Sequence, residues 1–467
     1  MSSDALEAAR AQLAGERAWL VGGAVRDRLL GRDTVDVDVA VEGDPRAHAR
    51  AIAKATGGAA FQLSGAFGAW RVVGPGHAWH VDLVTLRDGD IAADLAHRDF
   101  TINAMAEPLE GGELLDPHGG RADLDARVVR MVSPRALAED PLRSLRAVRI
   151  AVELDLTLDP DTAAAAAAHA PEIERVAPER VFGELKRVVG AADVRRGLEL
   201  MGEHGLTEVV LPELAALRGV DQSHFHHADV YDHTLETVDA VARLQTDPAG
   251  AGLGDQADAV AALLADPLAD ELTRGEAMRL AGLLHDAAKP LTRNVRPDGR
   301  VTFIGHDAEG AALARAVLRR LRASHRLAEY VAALVAHHLD VGFLVHDAPL
   351  DRRAVWRFLR ATEPFSADVV AFTVADRLAT RGRNADRAIA RHVELARTLL
   401  AAAFAEARDG PAKPLVRGDE LVREAGAPPG PPLGRLLAQL AEDRFAGEIA
   451  TREDALRRAR ELLRRAG

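Results

Sequence analysis

"LVGGAVRDRLLGRDTVDVDVAVEGD" spans residues 20–44, and its reading decides the fold of the first part of the chain. It opens apolar, breaks at Gly22 and Gly23, passes through a helix-prone stretch and closes on a valine-rich strand carrying Asp36 and Asp38. Side chains alternate along a strand, so the two aspartates share one face, about 6.6 Å apart along the chain. Val35, Val37 and Val39 take the other face and bury. Two carboxylates so close repel unless they are protonated or neutralised. A pair of divalent ions about 3.5–4 Å apart would neutralise them and set up an in-line displacement at phosphorus. Oxygen donors with no thiol in reach favour Mg2+. Upstream, the glycines place backbone N–H groups at a helix N-terminus, where a triphosphate can bind. Arg26 is placed to pair with phosphate, and Asp27 with a ribose hydroxyl or a neighbouring basic side chain. Alone, D-x-D also marks a solvated strand face, and Gly-Gly a tight turn. Their ordered combination within a short segment points to chemistry.

The 467 residues suffice for two to four domains, and 48% of them are apolar. Aromatics are scarce at 4%, and Ala, Leu and Arg dominate, which favours helix. A net charge of −12 means that any polyanion must be held on a local basic surface. The absence of cysteine excludes disulfides, thiolate metal sites and thiol nucleophiles. "MSSDALEAARAQLAGER" has no apolar signal core, and no later stretch reads as long and apolar enough to cross a bilayer, so a cytoplasmic protein is expected. "AWLVGG", "TVDVDVAV", "AWRVVG" and "HVDLVTL" read as short strands; beyond "MVSPRALAEDPL" nearly everything reads as helix. The expected class is α+β: a mixed head over 1–135, a helical neck and body over 136–220, a histidine-rich helical domain over 221–380 and a helical tail over 381–467.

"LVGGAVRDRLLG…DVDVAVEGD" resembles the signature of the bacterial-type, or class II, tRNA nucleotidyltransferase and poly(A) polymerase family, within the polymerase-β-like superfamily. Four further stretches follow in family order: "HRDFTINAMA" (97–106), "LLDPHGGRADLDARVVR" (114–130), "EDPLRSLRAVRIA" (139–151) and "ERVFGELKRVV" (179–189). His97 departs from the arginine usual at its position. The resemblance covers roughly residues 18–215. It implies transfer of a nucleoside monophosphate from CTP or ATP to the 3′-hydroxyl of a tRNA acceptor end, with release of pyrophosphate. Asp36 and Asp38 would hold Mg2+, and Asp82 would be a third carboxylate helping to deprotonate the primer, or else an ordinary strand-end aspartate. Arg98, Asp99 and Asn103 would contact ribose and triphosphate, unless Asp99 only caps the helix that follows.

Within "EDPLR", Asp140 and Arg143 are three apart and share a face if the segment is helical. Asp140 only accepts hydrogen bonds and Arg143 only donates, which matches the amine and ring nitrogen of cytosine and adenine and opposes uracil and guanine. Arg146 extends the set; the same charges also fit an ion-pair face. Only "DGDIAADLA" separates "VDLVTLR" from "HRDFTINA". Family members that add A usually carry a longer flexible loop here, so CC addition is expected over full CCA addition.

"YDHTLE", "LLHDAAKP", "FIGHDAEGA", "LVAHHLD" and "VADR" follow the order of HD-domain phosphohydrolases. His233, His285, Asp286 and Asp376 would form a first metal set. His306 with His337, or its neighbour His338, would complete a second, His337 being the one taken as ligand. Imidazole with carboxylate suits Mn2+, Ni2+, Mg2+ or Fe, and Lys289 is placed to hold a phosphate. Related enzymes with such a domain show phosphatase or cyclic phosphodiesterase activity. Arg180, Lys186, Arg187, Arg195 and Arg196 are candidates for gripping tRNA phosphates by shape. The arginines of "TREDALRRARELLRRAG" read better as a solvated face. Two alternatives stay open: a poly(A) polymerase, and an HD phosphohydrolase with an inactive head.

Overall fold

The computed structural model describes residues 3–32, 36–64, 68–221, 229–380, 385–410 and 413–466. Val35 lies outside them, as do residues 222–228 of the histidine-rich stretch. The chain forms two compact units, Met1–Val210 and Leu211–Gly467, and its class is α+β.

The first unit is built on a six-stranded sheet. Its strands are β1 (Ala18–Val21), β2 (Asp36–Val41), β3 (Ala59–Ser64), β4 (Ala69–Val73), β5 (His80–Thr85) and β6 (Ala106–Pro108). They lie in the order β3-β4-β5-β2-β1-β6, with β2 and β5 parallel and the other neighbours antiparallel. Alternation sorts the side chains. Val37, Val39, Val41, Val72, Val81 and Leu83 face a core shared with α1 (Ser3–Gln12) and α2 (Pro45–Thr56). On the opposite face, Ala40 and Val84 are covered by Ile91 and Leu95 of a short helix, Ile91–Ala96. The start of that face is left to Asp36, Asp38 and Asp82.

Beyond the sheet come the helices Leu142–Glu153, Pro160–His169, Pro178–Gly190 and Val194–Glu203. Two of them begin on proline, whose missing N–H costs nothing in the first turn. In the second unit, Val230–Thr246, Arg274–Leu284, His306–Arg320, His325–His337, Ser366–Ala379 and Ala385–Asp409 pack as a bundle. Thr273 and Glu276 close a reciprocal cap at the start of Arg274–Leu284. The last three helices surround a core of their own, with Leu421, Leu436, Leu440, Ile449 and Leu456.

One expectation needs correcting. By length and composition, His325–Leu344 is apolar enough to cross a membrane. Half of it is buried, and Leu327, Tyr330, Val331, Leu334 and Val335 fill the bundle interior, so a core helix accounts for its composition.

Candidate functional site

Two clusters gather the candidate residues, one in each unit. In the head, register places Asp38 directly opposite Asp82 and Asp36 opposite His80. Gly22 turns the chain out of β1 with φ +69°, into the helix Gly23–Leu29. A Cβ there would lie 2.9 Å from Arg98 Nη1 and 3.1 Å from Asp38 Oδ2, so glycine serves both for its conformation and for the close approach. The pKa of the Asp38 carboxyl is pushed up to about 6, by burial first and then by the neighbouring charge of Asp82. A cation would relieve that repulsion, and the oxygen donor set suits a hard divalent ion.

The acids meanwhile have partners within the protein. Arg71 of β4 grips Asp82 with two hydrogen bonds of 2.7 Å, and His80 Nδ1 lies 3.1 Å from Asp36. Neither Arg71 nor His80 was read from sequence, because a cross-strand neighbour is visible only once pairing is known. Arg26 is buried and donates to Asn103 (2.6 Å) and Asp27 (2.9 Å). Asp99 accepts from the Phe100 N–H, from Asn103 and from Arg146. Burial works to raise the Asp99 pKa, but Arg146 and these hydrogen bonds prevail and hold it below the usual range. Glu184, which sequence reading passed over inside "ERVFGELKR", ties Arg146 and Arg149 together from the neighbouring helix.

The proposed base-reading pair is not arranged as a helical face. Asp140 is extended (φ −144°, ψ 98°), and the helix begins only at Leu142. The cause is Pro141: its ring disfavours helical backbone at the residue before it. Asp140 bonds Arg180 at 2.7 Å. Arg143 turns to the carbonyls of His97, Arg98 and Ala136. Its Nε is buried without a partner.

In the second unit, His233, His285 and Asp286 bring ligand atoms within 4.8 Å of one another, and so do Asp286, His306 and His338. Asp286 belongs to both groups. Asp376 lies 3.1 Å from His233. The Nδ1 atoms of His285, His306 and His338 each face a backbone carbonyl, of Gly282, Phe303 and Val335. That contact fixes the tautomer and leaves Nε2 as the ligand atom. His285 Nε2 is buried 3.1 Å from Asp286 Oδ2 without hydrogen-bond geometry between them, as two ligands of one metal ion would be. Burial opposes the charge on Asp286, yet His285 and Lys289 hold its pKa well below the usual carboxylate range. Burial pushes His338 down to about 4.

His337, expected as ligand, is corrected: it turns outward to Asp340 at 2.8 Å, and its neighbour His338 occupies the cluster. Adjacent helical residues point about 100° apart, so only one of the two can face the bundle interior. The groups border a cavity of about 990 Å³, lined also by Lys289, Phe303 and His392. His392, not anticipated, comes from Ala385–Asp409 and bonds Thr373.

Several basic candidates for RNA contact are tied to acids. Arg187 bonds Glu153, Arg195 bonds Glu199, and Arg196 bonds Asp155. Lys186 lies in Pro178–Gly190, the helix that also carries Arg180 and Arg187.

Residues 18–88 and 77–130 match the poly A polymerase head domain, 155–217 the probable RNA and SrmB- binding site of polymerase A, and 230–381 the HD domain. The A-adding tRNA nucleotidyltransferase of Deinococcus radiodurans is 38% identical, with 94% of each chain covered. This chain belongs to the class II tRNA nucleotidyltransferase family. The CC-adding tRNA nucleotidyltransferase of Thermus thermophilus is 36% identical, over 94% of this nucleotidyltransferase and 92% of the relative. A solved Thermotoga maritima CCA-adding enzyme complexed with tRNA has the same fold, with a TM-score of 0.60 at 18% identity and coverage of 98% and 94%.

Proposed function

We propose that this nucleotidyltransferase adds CMP from CTP to the 3′-hydroxyl of the tRNA acceptor end, releasing pyrophosphate and stopping after CC. The observation that carries the reading is the register of Asp36, Asp38 and Asp82 on one open sheet face beside the Gly22 turn. Mg2+ held by Asp36 and Asp38 would polarise the α-phosphate and lower the pKa of the attacking hydroxyl. Asp82 takes the hydroxyl proton once Arg71 yields its carboxylate. Gly22, Gly23, Arg26, Asp27, Arg98, Asp99 and Asn103 seat the triphosphate and ribose. Asp140 accepts the exocyclic amine of the base. Arg143 serves the ring nitrogen after release from its three carbonyls, with Arg146 bracing Asp99 behind them. Arg180, Arg187, Arg195 and Arg196 face tRNA phosphates by exchanging their own carboxylates for them, with Lys186 on the same helix as Arg180 and Arg187.

Two observations bear on nucleotide choice. The link from β5 to Ile91–Ala96 is a single tight turn, Arg87–Gly89, and Asp90 caps the helix at once, accepting from Ala93 N at 3.1 Å. That leaves no flexible loop to reshape the pocket for A, which favours CC addition. The 38% identity to an A-adding enzyme favours a second reading, addition of the terminal A alone.

We further infer a four-part chain of head, neck, HD domain and tail, working in the cytoplasm. The HD cluster is read as a phosphatase or cyclic phosphodiesterase, with Mn2+, Ni2+, Mg2+ or Fe held by His233, His285, Asp286, His306, His338 and Asp376. Incubation with tRNA transcripts ending before, within and after CC, with each NTP singly and products sequenced, tests the main reading. Addition of two C residues and then arrest is expected. A single A on CC-ended tRNA alone establishes the second reading, and long unbounded A tails would identify a poly(A) polymerase.

A further inference from the structure

On the face that carries the three aspartates, the register continues outward from Asp38 and Asp82 to Arg71 on β4 and then to Phe61 on β3. Cross-strand partners share a face, so these four side chains form one row. Phe61 closes the row at the sheet edge, with nearly half its surface exposed (46%), and Leu63 on the same strand is as open (48%). An exposed aromatic ring is unusual in this head, where most large apolar side chains are buried.

We propose that Phe61 is the stacking seat for the terminal nucleobase of the RNA primer. Two strand spacings, about 9.6 Å, separate β3 from β5. A nucleotide whose base lies flat on Phe61 thus extends its sugar inward along the row, over Arg71, towards Asp82. Arg71 stands between them as the one cation of the row, placed to exchange Asp82 for the phosphate of that same nucleotide. Stacking on an aromatic face is indifferent to base identity. This suits a primer whose last base varies before addition begins and is C afterwards. Phe61 is a positioning residue here: it touches the primer base and leaves the reacting atoms to the aspartates. The inference rests on the primer-extension reading given above.

The test uses the full-length protein and a tRNA transcript with 2-aminopurine as its last nucleotide. Stacking quenches this fluorophore, and binding is followed without NTP, so the signal does not depend on which nucleotide is added. Wild-type protein and Phe61→Trp should quench it; Phe61→Ala should bind with its fluorescence restored. In parallel extension assays Phe61→Ala should raise the KM for tRNA about tenfold or more while leaving the KM for CTP unchanged. An unchanged melting temperature shows that the exposed site has not been lost through misfolding. Equal quenching by wild type and Phe61→Ala overturns the proposal, as does absence of quenching by wild type or a rise confined to the KM for CTP. Failure of the wild type to extend tRNA under the same conditions would instead count against the primer-extension reading.

Discussion

At the residue scale, a single buried charge makes a measurable claim. The folded pKa of Asp38 is raised to about 6, so its protonated form fits the fold better than its charged form. The stability this group withholds at neutral pH is regained as pH falls from about 6 to about 4, the range between its folded and unfolded values. In EDTA, Asp38→Asn should therefore be more stable than wild type at pH 7.5, by about 1–3 kcal/mol, and the gap should close near pH 4. Differential scanning calorimetry across that range checks the sign. In the second unit, His338→Ala should reduce bound metal while His337→Ala leaves it unchanged, as read by elemental analysis of the purified proteins. The paired aspartates were legible because a period of two needs only the strand. The choice between His337 and His338 was not, because it depends on how one helix is rotated within a bundle.

At the element scale, turns matter more than helices. Gly22 links β1 to the following helix at φ +69° beside Arg98 and Asp38. Gly22→Ala should add both backbone strain and a collision, reducing CMP incorporation a hundredfold or more and destabilising the protein by about 1 kcal/mol or more. Single-turnover kinetics and a urea melt measure the two effects. Pro141 shows how a short-range rule defeated a spacing rule. The i,i+3 reading of Asp140 and Arg143 assumed a helix that the proline holds off until Leu142. The signal was in the sequence, one residue after the aspartate. By contrast, Arg71 gave no signal, since nothing local reveals which strand lies beside which. The valine-rich strands themselves were plain from alternation and from their glycine boundaries.

For the whole molecule, the division into two units with separate cores predicts separable chemistries. Asp36→Ala should abolish nucleotide incorporation and spare phosphohydrolysis of bis(p-nitrophenyl) phosphate. Asp286→Ala, which removes the carboxylate common to both metal groups, should do the reverse. If Asp36→Ala still incorporates CMP, the catalytic assignment of the head fails. The order of head, RNA-binding stretch and HD domain was readable because each carries its own motif series, whereas packing within each unit depends on tertiary contacts that no local pattern encodes. The position of β3 at the border of the sheet has one last effect. Proteins commonly guard such borders with lysine or proline, because an apolar rim invites strand-to-strand association between molecules. Here Phe61 and Leu63 occupy that rim without such gatekeepers. The concentrated protein should be prone to clump when stripped of nucleic acid, and its solubility should improve when tRNA is restored.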